Sequence, residues 1–325
     1  MVNVGFIGVG GISAVHLNYL KRRRDVRVAA LCDINRATLD ARTAAYGGKG
    51  YTDFAAMLAA EQLDAVWICT PPQVRRAPLL DCAQRGIPVM CEKPVARTRG
   101  DALRIARELA ALKARVQIGY LFRSIPVVQA LREAMRDDRI HVVQSLYACP
   151  MSIEMKMPAW FFNKELSGGA LIDQATHNFD LLRAVLGDVE SVRGRAHNPV
   201  HRKKGRYTID EAIALSLLFK SGTLCTHTHS WVSDAWRNEI VFSGEKRLYR
   251  LQPADQVLRI ETKGKVQTVR ARRGMYTYEN EGFLAQVKSG DWSANPCPFE
   301  EGVRTLVLTL ACEQAVDTGR AVRVT

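Results

Sequence analysis

Short apolar runs alternate with helical periodicity through the first third of the chain. Residues 2–7 form a run of strand length that breaks at Gly8-Val9-Gly10-Gly11, after which Ile12, Val15, Tyr19 and Leu20 recur at helical spacing. A second apolar run at 26–32 ends at Asp33, and Thr52 or Asp53 can cap a helix over 55–60. A third run at 64–70 stops at Pro71-Pro72 and is followed by a helix over about 77–85, with Gly86 after it. Residues 88–91 make another strand, ending at Glu92-Lys93-Pro94. Thr98 and Asp101 resemble a capping box opening a helix to about Lys113, and 115–119 completes the series. Strands alternating with helices predict a parallel, doubly wound α/β sheet of the Rossmann type.

The pattern then changes. One long helix is expected over about 169–186, with a last helix over 300–317. Between them lie closely spaced strand-like segments at 191–196, 211–219, 222–231, 237–243, 246–252, 257–261 and 265–270, which predict a mostly antiparallel sheet. A boundary near Tyr120 divides the chain into a dinucleotide-binding domain, 1–120, and a substrate-binding α/β domain, 121–325. With 325 residues and 47% hydrophobic positions, two cores are expected and disorder is excluded.

Composition narrows the class further. No apolar run approaches the ~18 residues of a membrane span, and the N-terminus lacks the features of a signal peptide, so a cytoplasmic location is expected. The eight cysteines are scattered without a Cys-x-x-Cys pair, against both a zinc site and a disulfide scaffold. Lys and Arg outnumber Asp and Glu by 46 to 33. The excess is spread along the chain without a nucleic-acid-binding motif, so it reads as solvated surface or as attraction of an acidic small molecule. No nucleic-acid or membrane partner is expected.

Gly8-x-Gly10-x-x-Ser13 sits between a strand and a helix. Gly8 permits the tight turn, Gly10 lets a pyrophosphate approach the backbone, and Ser13 is small enough for helix–strand packing. The N–H groups from Gly11 and Ile12 onward then face the phosphates. Asp33, about 20 residues on, suits the ribose hydroxyls and would repel a 2′-phosphate, favouring NAD over NADP, with Arg36 nearby as a partial offset. Thr70-Pro71 and Glu92-Lys93 lie at strand carboxyl ends, where such sheets bind ligands. Beyond the boundary come Gly168-Gly169, Asp173, His177 and Asp180. On a regular helix the three polar residues share a stripe opposite Leu171, Asn178, Leu182 and Val185.

This ordered set resembles the Gfo/Idh/MocA family of NAD(P)-dependent oxidoreductases. It comprises a glycine turn with His16 soon after, a Thr-Pro strand end, Glu-Lys-Pro and Gly-Gly-x-x-x-Asp-x-x-x-His. The resemblance covers nearly the whole chain, down to Glu281-Gly282-Phe283 and the closing helix. It implies a Rossmann domain followed by an α/β domain whose large open sheet makes a homo-oligomer interface, as a dimer or tetramer. It also implies hydride transfer on a CH–OH group of a sugar, cyclitol or sugar acid. Lys93, Asp173 and His177 match the family's motif positions. An imidazole suits proton transfer near neutrality. His177 is therefore read as acid/base, Lys93 as a polarising or relaying cation, and Asp173 as a substrate acceptor or orienter. The sequence departs from the pattern at Arg75, where many members carry a histidine. Two related readings are a glycoside-cleaving enzyme using NAD transiently and a dinucleotide-sensing regulator.

Other residues carry two readings each. Arg123 contacts substrate or forms an ion pair, and Trp160 covers a sugar ring or packs. His227, His229 and Trp231 share a strand face as packing groups, since a metal would need a third ligand. Arg75, Arg123 and the 202–204 loop are the cations that would select an acidic substrate.

Overall fold

The computed structural model describes all residues except Met155. The chain divides into two compact units, one of Met1–Ser124 with Arg273–Val303 and one of Ile125–Arg272 with Arg304–Thr325. The first opens with β1 (Val2–Ile7), α1 (Gly11–Leu20), β2 (Val26–Cys32), α2 (Arg36–Tyr46), β3 (Lys49–Tyr51), α3 (Phe54–Ala60), β4 (Ala65–Ile68), α4 (Arg76–Gln84), β5 (Val89–Cys91), α5 (Arg99–Ala111) and β6 (Val116–Ile118). Its six strands are all parallel in the order β3-β2-β1-β4-β5-β6. This is a Rossmann order, whose direction of travel reverses between β1 and β4. Local chemistry starts the helices where the sequence indicated: Asp53 Oδ1 accepts from Ala56 N at 2.7 Å, and Thr98 Oγ1 from Asp101 N at 3.1 Å.

Two elements of this sheet lacked a sequence signal, α2 and β3. Only Leu39 of α2 is buried, so the helix has no apolar stripe; it is started instead by Asn35, whose side chain accepts from Thr38 N at 3.0 Å. The core runs from Val4, Phe6, Leu17 and Leu31 to Trp67 and on to Phe283 and Leu284. Trp67 stacks on Phe6 at 5.4 Å and meets the edge of Phe283 at 4.9 Å.

The second unit begins with α6 (Pro126–Ala134) and β7 (Ile140–Ala148), then two short helices, α7 (Met151–Glu154) and α8 (Lys164–Ser167). A π-helical turn, Leu171–Ala175, leads into α9 (Thr176–Leu186). Next come β8 (Val189–His197), β9 (Ala212–Phe219), β10 (Leu224–Ser230), β11 (Arg237–Gly244), β12 (Leu248–Gln252), β13 (Val257–Thr262) and β14 (Lys265–Arg270). After α10 (Met275–Ser289) and α11 (Phe299–Thr318), β15 (Val322–Arg323) closes a nine-stranded sheet. Its order is β14-β13-β12-β11-β7-β10-β9-β8-β15, antiparallel except between β7 and β10. No described helix is long and apolar enough to cross a membrane.

Glycine is required at two turns. Gly8 has φ +84°, and a Cβ there would lie 2.9 Å from backbone atoms of both Cys69 and Thr70. Gly168 has φ +82°, and its Cβ would lie 2.6 Å from that of Ile172, so glycine lets the helical segment close tightly on its own turn. Backbone atoms cannot move aside as a flexible side chain can, so Gly8→Ala should destabilise the protein by ~1–3 kcal/mol. A Cβ on Gly10 meets nothing within 4 Å, so Gly10→Ala should stay within ~0.5 kcal/mol of wild type. Parallel thermal melts check this, and equal shifts for the two variants would contradict it.

Candidate active site

The first unit gathers the glycine turn and two strand ends at the carboxyl edge of its sheet. Gly8 N donates to Cys32 O at 2.8 Å, tying the turn to β2. Asp33 is half-buried; its Oδ2 accepts from Val9 N at 2.8 Å and its Oδ1 from Asn35 N at 2.9 Å. Each oxygen keeps a lone pair, so the carboxylate is fixed in place and still able to accept. Ser13 is buried, and its Oγ donates to Gly10 O at 2.7 Å. Arg42, which the motifs did not single out, donates to Val9 O at 3.0 Å and Gly10 O at 3.2 Å. The loop's carbonyls are thus engaged from behind. The first turn of α1 carries neither a capping side chain nor an acidic residue. Gly10 and Gly11 are exposed and open, and the Thr70 Oγ1 is a buried polar atom without a partner. Free N–H groups, unobstructed glycines, a fixed carboxylate and an unsatisfied hydroxyl fit a dinucleotide.

Arg75 holds the two strand ends together. Its guanidinium is almost fully buried and donates only to backbone carbonyls: to Thr70 O at 2.9 and 2.7 Å, to Lys93 O at 3.3 Å, and to Glu92 O and Pro94 O. It is therefore a structural clamp, not a free cation for an acidic substrate. The Lys93–Pro94 peptide is cis, and Lys93 is half-buried beside Glu92.

Behind this loop lies a buried polar cluster. His16 Nε2 is 3.1 Å from Glu92 Oε1, and its Nδ1 is 3.0 Å from Asn280 Oδ1. The same Asn280 oxygen accepts from Trp67 Nε1 at 3.0 Å. Glu92 Oε2 accepts from Lys93 N at 3.2 Å. Glu279 is buried alongside, with no hydrogen-bond partner for either oxygen. Burial pushes its carboxyl up to about 8; the charge of His16 opposes the rise and that of Glu92 adds to it. None of Asn280, Glu279 or Arg42 belongs to a motif; Glu92 and Lys93 were marked as a strand end, and His16 was marked without a role.

In the second unit, Asp173 lies in the π-helical turn and His177 in the first turn of α9, both half-buried. Their helix is pinned by amides. Gln174 Oε1 accepts from Trp231 Nε1 at 2.5 Å and Cys149 Sγ at 3.2 Å. Asn178 and Asn238 exchange hydrogen bonds at 3.1 and 3.0 Å. Asp180 is not on an accessible stripe with the other two: the π turn shifts the phase of Asp173 against α9, and Asp180 faces α11. It is fully buried and accepts from Thr305 Oγ1 at 2.8 Å. The single long helix expected over 169–186 is likewise two segments.

The remaining residues fall as follows. Arg123 is buried, pairs with Glu301 at 3.2 Å and donates to Pro296 O at 3.1 Å. Trp160 is 52% exposed, edge-on to Phe161 at 5.9 Å. In the 202–204 loop, Lys203 pairs with Asp210, and Lys204 forms a backbone bridge with Tyr207. His227 meets the edge of Phe179 at 5.0 Å, and burial lowers it to about 3, so it packs as a neutral ring. Among the described residues, no group of three or more His, Cys, Asp or Glu is placed to hold a metal.

Glu279 generates a stability prediction. Its carboxyl titrates at about 8 in the folded chain against 4.5 when unfolded, so the folded state binds the extra proton between those values. That contribution is fully present below the unfolded pKa and is lost as pH rises through the folded one. Glu279→Gln removes the titration at nearly constant shape. The melting temperature of the variant relative to wild type should therefore climb steadily from about pH 5 to above pH 8. A pH-independent difference in calorimetry would contradict this.

The comparisons agree with the geometry. Residues 2–120 match the family model described as an oxidoreductase family with an NAD-binding Rossmann fold, and 128–250 match the GFO/IDH/MocA C-terminal domain. The rhizopine catabolism protein MocA of Rhizobium meliloti is 31% identical over 184 residues, 57% of this chain and 57% of that protein, so the match spans little more than half of that relative. The myo-inositol 2-dehydrogenase of Thermotoga maritima is 25% identical over 336 aligned positions, covering 99% of this chain and 98% of the relative. A solved levoglucosan dehydrogenase, in complex with NADH and levoglucosan, shares the fold with TM-score 0.87 at 18% identity, over 99% of each chain. With a glycine turn, a clamped Glu-Lys-Pro strand end and family matches across both sheets, this chain belongs to the Gfo/Idh/MocA oxidoreductase family.

Proposed function

We propose that the protein is an NAD-dependent dehydrogenase or reductase acting on a hydroxyl/carbonyl pair of a sugar or cyclitol. The reading rests on one observation above all: the strand end bearing Lys93 is rigidly clamped beside an open glycine turn, in a chain that keeps the Asp173 and His177 pair. We assign dinucleotide binding to residues 1–120, and substrate binding and oligomerisation to 121–325 apart from 273–303, which belong to the first compact unit.

NAD, when bound, supplies the hydride acceptor. Asp33 would accept from the ribose hydroxyls, and the N–H groups of Gly11, Ile12 and Ser13, after Gly10, would hold the pyrophosphate, with the Ser13 hydroxyl engaged by Gly10 O beneath it. Thr70 and Pro71 would flank the nicotinamide end, while the Glu92 carboxylate, which the motif also offered to the cofactor, is turned into the buried cluster behind the loop. His177 takes the substrate hydroxyl proton, Lys93 lowers the alcohol's pKa or relays that proton, and Asp173 orients a neighbouring hydroxyl. Trp160 offers an exposed ring to a sugar face. Arg36 pairs with Asp40 at 3.0 Å, which weakens its attraction for a 2′-phosphate and supports NAD over NADP. Arg75, Arg123 and Lys203 are all engaged by protein groups, which favours a neutral polyol over an acid. The relatives point the same way, one a myo-inositol dehydrogenase and one a levoglucosan dehydrogenase. The sheet face carrying exposed Leu224 and Val142, which are cross-strand partners, is assigned to contact with a second copy.

An absorbance assay at the NADH band across cyclitols, sugars, sugar acids and glycosides tests the reading. NADH formation should fall by ~10²-fold or more in His177→Ala and Lys93→Ala. Asp33→Ala should weaken NAD binding more than NADP binding; equal losses would remove the cofactor preference. NAD binding without turnover on any substrate would favour a regulator, and glycoside cleavage without net NADH would favour a transient-redox enzyme.

A further inference from the structure

The buried cluster behind the Glu-Lys-Pro loop has a proton arrangement that its geometry dictates. Asn280 Nδ2 donates to Tyr276 O at 2.6 Å, which fixes the orientation of the amide. Its Oδ1 therefore faces both Trp67 Nε1, which can only donate, and His16 Nδ1. An amide oxygen offers no hydrogen, so His16 Nδ1 carries one. On the other side of the ring, Nε2 faces a carboxylate oxygen of Glu92 at 3.1 Å, and one proton must lie between them. The ring is thus an imidazolium facing a carboxylate, or a neutral imidazole facing a carboxylic acid.

The surroundings decide between the two. The Lys93 N–H and the cations of Lys93 and Arg75 all favour a charged Glu92. Facing His16 from the elements packed around it are Glu92 after β5, Glu279, Asn280 and the edge of Tyr276 on α10 at 5.5 Å, and Trp67 on β4. The thiols of Cys69 and Cys91 lie within range of Glu92 and are held neutral by burial. Burial opposes charge on both partners. Their hydrogen bond and mutual attraction outweigh it, leaving His16 raised and Glu92 lowered.

We propose that His16 is a positioning residue for Lys93: its doubly protonated ring joins Asn280 to Glu92, the Glu92 carboxylate holds the Lys93 backbone N–H, and the glycine-turn helix and the lysine-bearing strand end are thereby locked into one body. This rests on the reading that Lys93 acts on the substrate oxygen. Arg75 grips the same loop by its carbonyls, so the Lys93 peptide is fixed through both its N–H and its C=O. The arrangement carries the cofactor-binding turn and the reacting cation on a shared rigid support, which is what orientation-dependent catalysis demands.

Two measurements test it. In protein labelled with ¹⁵N-histidine, both ring nitrogens of His16, identified by their loss in His16→Gln, should be protonated at neutral pH. A singly protonated ring at neutral pH overturns the proposal, and this measurement on wild type stands even where His16→Gln does not fold. In steady-state kinetics with the polyol that gives NADH, His16→Gln should lower kcat by ~10–100-fold with the NAD dissociation constant changed less than about twofold. Its effect should vanish in the Lys93→Ala background, because His16 acts only through Lys93. Losses that multiply in the double variant, or an unchanged kcat, overturn the role of His16 while leaving that of Lys93 intact. Full turnover by Lys93→Ala alone overturns the reading of Lys93 and, with it, the role given to His16.

Discussion

A buried guanidinium is tolerable only when its donors are satisfied, and the backbone carbonyls at strand ends equally need partners. Arg75 and the strand ends after β4 and β5 solve both problems at once. One side chain reaches the carbonyls of Thr70, Glu92, Lys93 and Pro94. These groups lie where the parallel sheet stops, beyond the last β4–β5 pair, Ile68 and Cys91. The rest of the candidate site leans on this contact. Thr70 sits against Gly8, whose missing Cβ is what allows the approach, and Gly8 in turn is tied to the last residue of β2, just before Asp33. The electrostatics follow. A permanent positive charge beneath the loop helps keep Glu92 ionised although it is buried, and an ionised Glu92 makes His16 worth charging.

Much of this was legible in the sequence because it is local. β1, β4 and β5 are apolar runs bounded by glycine or proline, β2 is one bounded by aspartates, and the seven later strands announce themselves by turns. What escaped is what depends on distant partners. Residues 140–148 alternate imperfectly and become a central strand only because β10 and β11 flank them. Helix α10 presents Glu279, Asn280 and Gln286 to the interior, so its inward face does not read as apolar. Two of those polar groups are explained by residues far away: Asn280 by His16 and Trp67, Gln286 by Gln117 at 2.8 Å. Glycine spacing indicates a phosphate-binding turn, but it says nothing of Arg42 engaging the loop's carbonyls from α2.

The charge excess has a similar resolution. Arg23 pairs with Asp25 at 2.7 Å, Arg247 with Asp137 at 2.7 Å, and Arg273 with Glu281 at 2.7 Å. Pairs this exposed contribute little to stability. They do show that clusters of basic letters are distributed among acidic partners once the chain folds. The buried cations Arg75, Arg123 and Arg183 hold backbone, carboxylate and hydroxyl groups in place.

The π-helical turn at Leu171–Ala175 has the geometry a helix takes when one residue is inserted into it. The extra residue is absorbed within a single turn, so the amide anchors at Gln174 and Asn178 both keep their partners in the sheet. Removing one residue there would restore an ordinary helix and leave the residues on either side of it nearly in phase. Asp173, inside the turn, would then face elsewhere while His177 stayed where it is. The turn thus behaves as a local adjuster: one extra residue, with no change in any anchoring side chain, sets the angle at which the carboxylate and the imidazole are presented.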